Sequence, residues 1–110
     1  MKIKRRVFEK DGQWYMGRTN SKGQEIACCC RDKAAAEQLL HLAESCYRKS
    51  VMFSLNKCIC IGKVTNTGLL YENGENEPPT EVLFIRYEGS TYRRPLAYCK
   101  ILGSEEKKNG

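Results

Sequence analysis

The sequence predicts an α+β protein: a three-stranded antiparallel meander with one packed helix, then a mainly antiparallel β half of small, barrel-like character. Three observations lead there. Apolar and polar residues alternate over positions 2–30, interrupted at hairpin spacing by Asp11-Gly12 and by Asn20 to Gly23. Only the stretch from Asp32 to Lys49 carries apolar residues at helical spacing. Beyond it, short β-rich runs return, punctuated by Gly, Asn and Pro.

Lys2 to Glu9 reads as the first strand, with Ile3, Arg5 and Val7 on one face and Lys4, Arg6 and Phe8 on the other. Asp11-Gly12 suits a type I′ turn, which needs positive φ at both central residues. The second strand, Gln13 to Thr19, puts Trp14, Met16 and Arg18 on one face and Tyr15, Gly17 and Thr19 on the other. Trp14 is expected in the core. Gly23 can close the next turn in a left-handed conformation, and Gln24 to Cys30 forms the third strand.

Asp32 is placed to cap the helix, because its carboxylate can accept from first-turn amides. The helix is expected to reach about Lys49, with Arg48 and Lys49 at its negative end. Its apolar stripe reads as Ala36, Leu39, Leu40, Ala43 and Tyr47, bordered by Cys46. The second half offers strands at 51–55, 57–64, 69–71 and 81–87, then Thr91 to Arg94. Asn66-Thr67-Gly68 is read as a break, and Asn73 to Pro79 as a loop. Pro95 confines the chain after it to an edge or a turn, and Leu96 to Leu102 is expected to close the sheet. The expected organisation is a β-β-β-α module at 1–49, a β-rich half at 50–103 packed with it as one unit, and a charged tail at 104–110.

With 110 residues, the chain can build one modest core. No apolar run is long enough to span a membrane, and the basic N-terminus is not followed by the apolar stretch of a secretory signal. Seven cysteines, three of them adjacent, do not fit a disulfide framework; reduced thiols in a cytoplasm do. Net charge is +6, and residues 1–33 carry +5 of it. Such concentrated basic charge attracts phosphate backbones or acidic protein surfaces.

Within residues 3–48 stand Trp14 in a strand, Lys22-Gly23 in a turn, then Lys33, Ala36-Glu37 and Leu39-Leu40 in the helix. In this the segment resembles the N-terminal arm-type DNA-binding domain of phage tyrosine recombinases. It departs from that pattern at Cys30, where the family favours an aromatic residue. The rest of the chain holds nothing like the recombinase catalytic domain. The resemblance implies a phage or mobile-element protein that binds DNA, favoured over RNA, through the sheet face opposite the helix. Lys4, Arg6 and Tyr15 would lie on that face. The second half is similar in architecture to a small Tudor-like barrel, with no aromatic cage that can be placed.

Nucleic-acid binding is therefore the leading expectation, with Lys4, Arg6, Tyr15, Arg18, Lys22 and Arg31 as candidate contacts. Arg18 shares the Trp14 face and would reach the surface only at the strand end. The alternative is a protein-interaction module or inhibitor, anti-CRISPR-like, docking on an acidic surface of a host nucleic-acid machine. An unpaired strand edge would also allow a homodimer. Cys28-x-Cys30 and Cys58-x-Cys60 could pool four thiolates for zinc, but the spacing is not that of zinc knuckles, and neither metal nor cofactor is expected. His41 lacks a partner. Cys30, beside Arg31 and a helix start, is the one candidate for a reactive thiol, and no nucleophile–base pair stands out. A non-catalytic role is expected.

Overall fold

The computed structural model describes residues 4–102. The start of the expected first strand, Lys2 and Ile3, and the expected tail at 104–110 lie outside the described residues. The chain divides into two compact units, Met1–His41 and Leu42–Gly110. The division falls inside the helix, before the expected 49/50 boundary.

The first unit holds an antiparallel sheet of β1 (Arg5–Lys10), β2 (Gln13–Thr19) and β3 (Glu25–Cys30), in that order. Asp11 and Gly12 both take positive φ, 54° and 78°, and the two-residue turn they form pairs Lys10 with Gln13. The second turn is held by Asn20, whose Oδ1 accepts from the amides of Lys22 (2.9 Å) and Gln24 (3.0 Å). The helix α1 (Lys33–Cys46) begins at Asp32, whose Oδ1 accepts from the Ala35 amide at 2.8 Å. That bond, and secondarily Arg31, holds the Asp32 carboxyl below its usual range.

The helix differs from expectation in length and phase. It ends at Cys46, because Arg48 adopts a left-handed φ of 67° and donates its amide to the Val64 carbonyl (2.9 Å). The buried stripe is Ala35, Ala36, Leu39, Leu42, Ala43 and Cys46. Leu40 and Tyr47 sit on its margin, half-buried.

The second unit is a five-stranded antiparallel sheet in the order β7-β6-β5-β4-β8. Its strands are β4 (Ser50–Leu55), β5 (Cys58–Leu70), β6 (Thr80–Tyr87), β7 (Ser90–Pro95) and β8 (Lys100–Ile101), with a 3-10 turn at Leu96–Tyr98. The expected break at Asn66-Thr67-Gly68 is absent. Instead β5 runs through, and a bulge between Val64 and Asn66 lets it pair with β4 at one end and β6 at the other. Phe53, Val51, Val64, Val82, Leu83 and Ile85 form the core. Phe53 meets Tyr87 edge-on at 5.8 Å and Tyr92 at 5.9 Å.

The barrel-like expectation is corrected: the sheet is open, with β7 and β8 as its edges. Leu96 to Leu102 extends it at β4 rather than closing it. The sheet is nonetheless curled. Arg94 on β7 lies over the Phe53 and Tyr92 rings and donates Nε to the Ser54 carbonyl of β4 at 3.2 Å, across two intervening strands.

Candidate nucleic-acid interface

The β1–β2–β3 sheet has two unlike faces. On one, Met16 and Cys30 are buried and Trp14 is half-buried, with the helix residue Lys33 over the indole at 5.7 Å. That is the helix side. Strand alternation places Lys4, Arg6, Phe8 and Lys10, then Tyr15, Gly17 and Thr19, then Glu25 and Ala27 on the other face.

The hairpin register sets Phe8 opposite Tyr15, and their rings stack at 5.3 Å with planes 17° apart. The Arg6 guanidinium lies over the Phe8 ring, 4.2 Å from its centroid. It also reaches Glu25 on β3 with two bonds, Nε to Oε2 at 2.8 Å and Nη2 to Oε1 at 2.9 Å. Each partner stabilises the other's charge, so hydrogen bonding raises the Arg6 pKa and lowers that of Glu25. This crossing depends on Gly17. A β-carbon there would stand 2.9 Å from Glu25 Oε2 and 3.0 Å from Phe8 Cε1. Arg6, Phe8, Glu9, Lys10, Tyr15, Glu25 and Ala27 line a shallow concavity of about 520 Å³.

Three of the six expected contacts, Lys4, Arg6 and Tyr15, share this face. Lys22 is exposed in the β2–β3 turn, at the Lys4 end, where the Lys4 carbonyl accepts from Thr19. Arg18 lies on the helix side, between Arg5 and Ile26 in register. Arg31 stands at the strand–helix junction and pairs with Asp32 at 3.2 Å. Sequence reasoning missed Lys10, the Phe8–Tyr15 stack and Glu25. The strand phase that grouped Lys4, Arg6 and Phe8 was the available signal for the first two.

All seven cysteines are free thiols, and Cys30 is buried at 4% exposure, so it presents no accessible thiolate. Among the described residues no group of three or more His, Cys, Asp or Glu is arranged to hold a metal ion, and His41 is exposed. No helix among the described residues is long and apolar enough to cross a membrane. Compared with family models, curated proteins and solved structures, the chain matches none.

Proposed function

We propose that this is a small, non-catalytic nucleic-acid-binding protein that works through the open face of the β1–β2–β3 sheet, in the manner of a phage or mobile-element DNA-binding module. The observation that carries the reading is the stacked Phe8–Tyr15 pair between Lys4 and Lys10 on a face the helix does not cover. Lysines supply phosphate contacts, and aromatic rings supply flat surface for bases or sugars. The test is a salt titration of binding to mixed-sequence oligonucleotides. Affinity is expected to fall steeply with salt. A dissociation constant weaker than ~10⁻⁴ M at physiological salt would reassign the face to a protein partner.

A second reading, docking on a host protein, is favoured by a different observation. In the second unit Ile59 (66% exposed), Ile61 (57%) and Tyr98 (77%) expose large apolar side chains. Ile61 pairs across the strands with Met52, and Ile59 and Tyr98 line one groove of about 310 Å³. Exposed apolar clusters mark protein contacts. Pull-down from lysate with and without nuclease separates the readings, since partners held by this surface survive digestion.

A further inference from the structure

We infer that the open face of the β1–β2–β3 sheet takes unpaired bases, so that its ligand is single-stranded rather than duplex nucleic acid. The inference rests on the nucleic-acid reading above and narrows it.

Two arrangements on the face carry it. The first is the Phe8–Tyr15 stack, standing on an uncovered sheet and lining the concavity. A flat aromatic surface recognises the face of a base. In a duplex both faces of each base are covered by its neighbours. A single strand can turn a base outward onto the Tyr15 ring, since Phe8 is already covered by Tyr15 and by the Arg6 guanidinium.

The second arrangement is the charge pattern. At the centre of the face, Arg6 is answered by Glu25 through two short hydrogen bonds. The centre therefore offers a carboxylate and a guanidinium that cancel, which is a poor track for a phosphate backbone. The cations without an ion-pair partner among the described residues stand at the ends: Lys4 at one, Lys10 at the other. At the usual strand rise they lie ~20 Å apart along β1. A single strand laid along β1 would place phosphates at both lysines and an intervening base on the Tyr15 ring. A rigid duplex backbone crossing the sheet would meet Glu25.

The experiment is fluorescence anisotropy with the full chain, using a labelled mixed-sequence 12-mer as single-stranded DNA, as single-stranded RNA and as duplex DNA at one salt concentration. Wild type is compared with Tyr15→Phe, which keeps the ring, and Tyr15→Leu, which keeps apolar volume without it. Circular dichroism checks that both variants fold. The expected result is single-strand binding at least about tenfold tighter than duplex, retained by Tyr15→Phe and weakened about tenfold by Tyr15→Leu. Duplex bound as tightly as single strand, or a folded Tyr15→Leu equal to wild type, overturns the inference while leaving the electrostatic reading in place. Binding to neither form overturns the inference and the proposed function together.

Discussion

Glu25 grips Arg6 from two strands away, with both carboxylate oxygens at 2.8 and 2.9 Å from the guanidinium and Gly17 of β2 beneath them. The grip removes Arg6 from the pool of free phosphate contacts. Glu25→Gln should release it. Nucleic-acid affinity should rise, and the log–log salt slope should steepen by about 0.7–0.9 unit, one added contact. An unchanged slope would mean that Arg6 stays withdrawn for another reason.

The same pair sets a pH dependence. The Glu25 carboxyl titrates below its ordinary value of 4.5, because Arg6 hydrogen-bonds its charged form. Its contribution to stability is therefore complete above about pH 4.5 and is lost as pH falls through the lower, folded-state value. Melting temperatures of wild type and Glu25→Gln should differ by a constant amount from pH 5 to 8 and converge under acid. A gap that widened under acid would contradict the assignment.

Parts of this site were readable from residues alone. Asp11-Gly12 dictates a two-residue turn, the turn dictates that Lys10 faces Gln13, and counting back puts Phe8 against Tyr15. The Arg6–Glu25 grip was not readable. It is a diagonal contact between first and third strands, and it exists only because the intervening position is glycine. Helix phase was ambiguous for a different reason. Leu39, Leu40 and Leu42 are all apolar, so periodicity alone could not decide which of Leu40 and Leu42 turns inward. In β5, Asn66-Thr67-Gly68 has turn composition, yet a bulge absorbs the irregularity and the ladder continues. At Asn56-Lys57 the opposite occurred. Both residues take positive φ, 52° and 68°, and a lysine gives no warning of that.

The helix phase has a stability consequence. Leu39 is 5% exposed and Leu40 is half-buried. Leu39→Ala should lower unfolding free energy by about 2–4 kcal/mol, through lost burial and a residual cavity. Leu40→Ala should cost roughly half as much, in proportion to the area it removes from water. Urea titration of both variants checks the order, and a reversal would restore the stripe centred on Leu40.

Close packing around Gly62 makes a sharper case. A β-carbon there would stand 2.6 Å from Ile85 Cγ2, 2.7 Å from the Arg86 carbonyl oxygen and 3.2 Å from Phe53 Cε1. The carbonyl belongs to the backbone of β6 and cannot rotate away. Gly62→Ala should cost about 1–3 kcal/mol by overpacking. Gly68→Ala, whose nearest neighbour would be a Phe84 ring atom at 3.2 Å, should cost less. Equal urea midpoints for the two variants would count against this local packing.

The last prediction separates which cations bind phosphate. Lys4 and Lys10 stand at opposite ends of the open face, Arg18 projects on the helix side, and Arg6 is already paired. An electrostatic footprint on the open face therefore has an unequal alanine scan. Lys4→Ala and Lys10→Ala should each reduce the magnitude of the salt slope by about 0.7–0.9 unit. Arg6→Ala should change it far less, since the removed charge is balanced by a carboxylate that then repels the ligand through affinity rather than through counterion number. Arg18→Ala should leave slope and affinity near wild type. The readout is anisotropy across a salt series for the four variants. A scan in which Arg18 matters as much as Lys4 would move the interface to the other side of the sheet. A flat scan would mean that no lysine of this face meets a phosphate.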